Sequence, residues 1–214
     1  MSKELRLILP MLEGAGTRTV GPLKFHTGQI GRHSVALLEC GIGKVNAAMG
    51  ATLMAQEFAP ELIVNTGVGA GAGPEVSVLD TVIATGVAMH DFWCIGEEWG
   101  HVPGSPLIFP AEKMSGILEG EQVKRGLIAS GDMFITSREQ VDGIREHFPT
   151  VIAVDMESAA IAQVCSHFKI PFFCMRVISD SPWCSHDNSS QYESFWEDAP
   201  RRSFNLVRNI LEKL

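Results

Sequence analysis

The stretch VIAVDMESAAIAQVCSHFKIPFFCMRVISD, residues 151–180, reads as strand, helix and strand in immediate succession. VIAV (151–154) and FFCMRVI (172–178) are continuous apolar runs of strand length, the pattern of strands covered on both faces. Between them Met156, Ala160, Val164 and Phe168 recur at every fourth position, one face of a helix. The same alternation continues outward. Further strand-like runs are LRLIL (5–9), SVALLEC (34–40), ELIVN (61–65), DTVIATGVAM (80–89) and RGLIAS (125–130). Val45, Met49 and Leu53 have helical spacing, and Phe204, Val207, Leu211 and Leu214 mark a C-terminal amphipathic helix. Strands alternating with helices predict one α/β domain over residues 1–214. Its expected architecture is a three-layer α/β/α sandwich around a mixed, mostly parallel sheet.

Composition narrows the partners. The chain has 214 residues, 45% of them hydrophobic, and its 17 Lys and Arg against 25 Asp and Glu give a net charge of −8. An acidic chain without a basic stripe is poorly suited to nucleic acid or an anionic membrane surface, so a small molecule is the expected ligand. The start, MSKELRLILPML, is interrupted by Glu4 and Arg6 and reads as a first strand rather than a leader. Five cysteines in no C-x-x-C pair look like reduced cytoplasmic thiols, and the seven histidines have no metal-ligand spacing.

In sheets of this kind ligands bind beyond the carboxyl ends of the strands. The run 61–65 leads into Thr66-Gly67-Val68-Gly69-Ala70-Gly71-Ala72-Gly73, either a tight turn or a loop whose bare backbone lets a ligand approach. VIAV ends in Asp155-Met156-Glu157-Ser158, two acids at a helix start. They either complement the helix dipole or present Glu157 to substrate hydroxyls. The next strand delivers Arg176, Ser179 and Asp180 to the same edge, a polar constellation that core packing does not require.

The ordered set ECGIGK (39–44), NTG-x-G-x-G (65–71), MHD (89–91), VPG (102–104), SGDMFI (130–135), VDMESAAIAQVC (154–165) and RVISD (176–180) resembles the methylthioadenosine/S-adenosylhomocysteine nucleosidases of the nucleoside phosphorylase/hydrolase-like superfamily. The resemblance implies hydrolysis of an N-glycosidic bond in an adenine nucleoside, by water and without a cofactor or metal. Adenine leaves poorly as an anion, so an acid must protonate it as the bond stretches. Asp180 matches the family's acid at N7, and Glu157 matches the carboxylate that holds the ribose hydroxyls beside the developing positive charge. By the same resemblance Phe134 stacks on the purine and the Ile135 backbone meets its edge. Met156 packs under the ribose, Ile42 lies near the alkylthio arm, and Gly69 and Arg176 line the site. Tyr192 or Phe195 closes it. Pro103 resembles a residue reaching into a partner subunit, which implies a homodimer.

Two departures stand out. The family begins with a strand, an A-M-E-E-E run whose glutamate activates the water, and a long helix. Aligned against that pattern, the stretch LPMLEGAGTRTVGPLKFHTGQ is shorter. Its only acid is Glu13, the expected base unless the gap places Gly14 there. Val68 stands where the family has a serine. Related readings are a futalosine or aminofutalosine hydrolase, a nucleoside phosphorylase using Arg176 and Arg18 for phosphate, or a purine-nucleoside-binding protein without a base.

Overall fold

The computed structural model describes residues 2–114, 122–184, 187–198 and 209–213. The first element is a helix, α1 (Ser2–Ile8), followed by a 3-10 turn at Leu9–Met11. This corrects the expected strand at 5–9. Leu5, Ile8, Leu9 and Leu12 fall at helical spacing, and Ile8 and Leu12 are buried. The glycine-rich stretch after it forms an antiparallel meander of β1 (Glu13–Val20), β2 (Leu23–Ile30) and β3 (His33–Leu38).

The remaining strands are β4 (Ile63–Gly71), β5 (Thr81–Met89), β6 (Phe109–Pro110), β7 (Lys124–Ser130), β8 (Val151–Asp155) and β9 (Phe172–Asp180). They make one mixed sheet in the order β6-β5-β7-β8-β4-β9. The pairs β5–β7, β7–β8 and β4–β9 are parallel, while β4–β8 and β5–β9 are antiparallel. The β5–β9 pairing curls the sheet on itself, so the expected open layer is closed along one seam. Every residue of β8 and β9 is buried, as their unbroken apolar runs predict.

Helices cover both faces. On one, α2 (Lys44–Phe58) and α4 (Ser158–Phe168) join a core containing Ala47, Ala51, Ala160, Ile128, Ile152 and Ile178. On the other, Val141 and Ile144 of α3 (Arg138–His147) pack with Leu127, Val151 and Val154. The buried face of α2 is Ala47, Gly50, Ala51 and Ala55. It is not the stripe of Val45, Met49 and Leu53, because small residues let the helix lie close to its neighbours, and Val45 is left exposed. The last described helix of the site region is α5 (Asn188–Asp198), beside β9. At the C-terminus Ile210 and Leu211 pack with Phe173 and Met175, while Phe204, Val207 and Leu214 lie outside the described residues. Among the described residues no helix is long and apolar enough to cross a membrane.

Among the described residues the meander and the larger sheet form two separate sheets, with no strand of one paired to a strand of the other. A cavity of about 530 Å³ lies between β3 and β4, also lined by α1, α2 and the carboxyl ends of β8 and β9.

Candidate active site

β8 ends at Asp155 and α4 begins at Ser158, with Glu157 as its N-cap. The two acids divide the roles that the sequence left open. Asp155 accepts hydrogen bonds from the backbone N–H groups of Glu157 (3.3 Å) and Ser158 (3.2 Å), from Ser130 Oγ (2.5 Å) and from Ser158 Oγ. It therefore satisfies the donors at the helix start, as a capping carboxylate does. Glu157 caps nothing with its side chain. Its Oε1 instead accepts from the backbone N–H of Gly43 (2.9 Å), across 114 residues of sequence, and the carboxyl lines the cavity. Gly43 has φ +89°, and a Cβ there would lie 2.9 Å from Asp132 Oδ1, so the position needs glycine. Burial raises the Glu157 pKa and the charge of Asp155 adds to it, against the Gly43 N–H and Arg176.

Arg176 lines the same cavity, with each of its guanidinium nitrogens hydrogen-bonded within the protein. Nε donates to Asp155 Oδ2 (2.8 Å), Nη2 to Ser158 Oγ (2.8 Å) and Nη1 to the Met175 carbonyl (2.8 Å). Burial opposes its charge, yet Asp155 and the surrounding acids hold the guanidinium protonated. An ion pair with both side chains about 2% exposed or less is tolerated because each of the three guanidinium nitrogens donates a hydrogen bond.

At the end of β9, Asp180 is 1% exposed. Ser179 Oγ donates to its Oδ1 (2.6 Å) and Asn188 Nδ2 to its Oδ2 (2.7 Å). Burial raises its pKa, and these two hydrogen bonds work in the opposite direction. A buried carboxyl facing a cavity is a candidate proton donor at neutral pH. Phe134, 41% exposed, borders the same space, and Tyr192 of α5 meets its ring edge to face at 5.7 Å between centroids.

Ile135, Met156, Ser179, Gly69, Val68, Ile42 and Tyr192 all line this cavity together with Asp180, Glu157, Phe134 and Arg176. Phe195 is buried against Val177 outside the lining. The side chain of Val68 packs into that same small cluster, and its backbone N–H points to the site. Pro103 is exposed on its loop and takes no part in the cavity.

Glu13 is not brought to the site. It is exposed at the start of β1, opposite Gln29 in the hairpin. The carboxylate that the cavity holds instead is Glu4, on α1. Its Oε1 accepts from Val68 N at 3.0 Å and lies over Gly67, where a Cβ would come within 2.8 Å of it. The glycine run 67–71 is therefore no turn. It continues β4, residues 67–70 in parallel pairing with β9 and Gly71 opposite Ala153 of β8, and the missing side chain at Gly67 makes room for Glu4. The signal that could have found Glu4 was the helical spacing from Leu5 to Leu12, which turns 2–8 into a helix presenting its acid.

Among the described residues the ionisable groups lining the cavity are thus the acids Glu4, Glu39, Asp155, Glu157 and Asp180 and one cation, Arg176. Arg18 lies elsewhere, paired with Glu57 and over the Phe58 ring. Among the described residues no group of His, Cys, Asp and Glu could hold a metal.

The profile of the phosphorylase superfamily matches residues 1–212. A 5′-methylthioadenosine/S-adenosylhomocysteine nucleosidase of Bacillus thuringiensis subsp. konkukian is 38% identical over 224 residues, covering all of this chain and 96% of the relative. A solved nucleosidase of the same name from S. pneumoniae, with a transition-state inhibitor, superposes with a TM-score of 0.92 at 32% identity, covering 99% of this chain and 95% of that one. One from Neisseria meningitidis, in complex with methylthio-immucillin-A, gives 0.92 at 35% identity over 100% and 96%.

Proposed function

The chain belongs to the phosphorylase superfamily and, within it, to the 5′-methylthioadenosine/S-adenosylhomocysteine nucleosidases; from that membership we propose that it hydrolyses the N-glycosidic bond of these two nucleosides and releases adenine. The observation that carries the reading is the convergence of Asp180, Glu157 and Glu4 with the Phe134 ring on one largely apolar cavity, of a size suited to a small molecule.

Each carboxyl has a separate task. With the purine against Phe134 and its edge on the Ile135 backbone, Asp180 gives a proton to N7 as the bond to the sugar lengthens. The electron pair of that bond leaves with adenine and positive charge appears on the ribosyl carbon. Glu157, as carboxylate, holds the ribose hydroxyls and stabilises that charge more in the transition state than in the ground state. Glu4 takes a proton from the attacking water. The run Met1-Ser2-Lys3-Glu4 thus supplies the glutamate that the resemblance calls for, and a binding protein without a base loses its motivation.

Phosphorolysis is disfavoured by charge. Among the described residues a phosphate entering between five acidic side chains would find one guanidinium, each of whose three nitrogens already donates a hydrogen bond. The test is adenine release from 5′-methylthioadenosine, S-adenosylhomocysteine, adenosine and inosine, with and without phosphate. Release from the two thio-nucleosides at the same rate in both conditions is expected. Release that needs phosphate would make the protein a phosphorylase, and binding without release would make it a nucleoside receptor.

We also infer a homodimer. The Lys44–Asp91 ion pair (2.6 Å) ties the start of α2 to the segment after β5, and Ile42 and Val45 near the one residue and Trp93 and Ile95 near the other in sequence are each more than half exposed. Exposed apolar surface of that kind marks an interface. Light scattering is expected to give twice the chain mass of 23.3 kDa, and a monomer at micromolar concentration would refute the dimer. Cys40, Cys94, Cys165, Cys174 and Cys184 are all free, in keeping with a reducing, cytoplasmic setting.

A further inference from the structure

Asn188 stands behind the leaving-group acid and is 1% exposed, yet it does not line the cavity. Its amide nitrogen has two hydrogens and the structure gives each an acceptor: Asp180 Oδ2 at 2.7 Å and the Ile135 carbonyl at 2.9 Å. Both partners accept hydrogen bonds when Asp180 is ionised, so the nitrogen rather than the oxygen of the amide must face them. The remainder of α5 is tied to the same place. Gln191 Oε1 accepts from Ser181 N (2.9 Å), and Tyr192 meets the Phe134 ring. The first turn of one helix therefore touches the acid, the residue after it, the base-edge backbone and the stacking ring.

We propose that Asn188 is the positioning residue of the leaving-group acid: one amide bridges Asp180 to the Ile135 carbonyl and so fixes the acid relative to the backbone that meets the purine edge. The two bridged residues are 45 apart in sequence by the separations of 53 and 8 residues from Asn188 (53 − 8): Asp180 ends β9 and Ile135 lies in the loop before α3. Proton transfer to N7 requires the carboxyl within hydrogen-bonding distance of a base held by that backbone. A free carboxyl could rotate, but one held on Oδ1 by Ser179 and on Oδ2 by Asn188 keeps its plane. Each oxygen retains a further lone-pair site for the proton to be transferred.

This inference rests on the nucleosidase reading, and its test separates the two. Asn188→Leu removes the donors at similar volume, and Asn188→Asp removes them at the same shape. In both, kcat for 5′-methylthioadenosine is expected to fall about tenfold or more, the scale of a lost hydrogen bond to a charged group, with a smaller change in KM. Loss of a donor to the ionised carboxyl favours the protonated acid, so the alkaline limb of kcat/KM moves to higher pH, furthest in Asn188→Asp, which adds a like charge. The carboxyl carbon of Asp180, identified in a 13C spectrum by its disappearance in Asp180→Asn, is expected to titrate at higher pH in both variants than in the parent. A residue that merely anchors α5 would lower Tm and raise KM but leave the alkaline limb and the carboxyl titration at parental pH; that result overturns the proposal. If the parent releases adenine from no nucleoside, the nucleosidase reading falls, while the carboxyl titration still decides what Asn188 does to Asp180.

Discussion

Asp180→Asn is expected to lower the turnover of 5′-methylthioadenosine roughly 100-fold or more, about 2.7 kcal/mol or more of transition-state stabilisation. The introduced amide has the shape of the carboxyl, so Ser179 and Asn188 keep their neighbour and the fold is undisturbed. An amide can still donate a hydrogen bond to N7, so KM changes little, but it has no proton to give and adenine must leave as an anion. The parental acid is suited to the task because burial lifts its pKa, so it stays protonated to higher pH than an ordinary carboxyl. Asp180 therefore sets the alkaline side of the activity profile: with Glu4 and Glu157 ionised, the rate declines as pH rises through that raised pKa and the acid loses its proton. Single-turnover measurements with saturating substrate isolate the chemical step. Parental turnover in Asp180→Asn would remove Asp180 from the mechanism.

Glu4→Gln is the second large effect, again roughly 100-fold or more in turnover, from loss of a general base. Glutamine retains a side-chain oxygen to accept from Val68 N, so α1 stays against Gly67. What is lost is basicity towards water. Glu13→Gln, by contrast, changes an exposed residue at the edge of the β1–β2 hairpin and is expected to leave turnover unaltered. The pair of variants is decisive in either direction. A rate that collapses in Glu13→Gln and survives in Glu4→Gln would transfer the role of base back to the hairpin and leave Glu4 a fastening for α1.

Much of the site was legible along the chain because it lies at the ends of strands. Buried strands announce themselves as unbroken apolar runs, and a polar residue at the end of one emerges where the sheet stops covering it. Asp180, Arg176 and Glu157 were found on that ground. The same logic offered Glu157 to substrate but left open that both acids merely complement the helix dipole, since the division between Asp155 and Glu157 depends on Gly43, 114 residues from Glu157, and on Arg176. It also misread 5–9, where a short apolar segment suits a strand or a helix equally well and only the packing of Ile8 and Leu12 decides. Asn188 carried no signal at all. Its neighbours in sequence are polar, and its meaning lies in two acceptors supplied by other elements.

Local chemistry therefore determined the α/β alternation, the apolar interior of β8 and β9, and the delivery of an acid to the end of each, because side-chain pattern and strand period act over a few residues. Tertiary structure alone decided the closure of the sheet through β5 and β9, the engagement of Arg176 by Asp155, and the choice of Glu4 over Glu13. Those outcomes depend on which distant backbone approaches which side chain, as the contact of Glu4 with Val68 across 64 residues does. A contact of that separation forms only when the whole chain has folded, since its energy is set by burial and geometry that no short segment possesses.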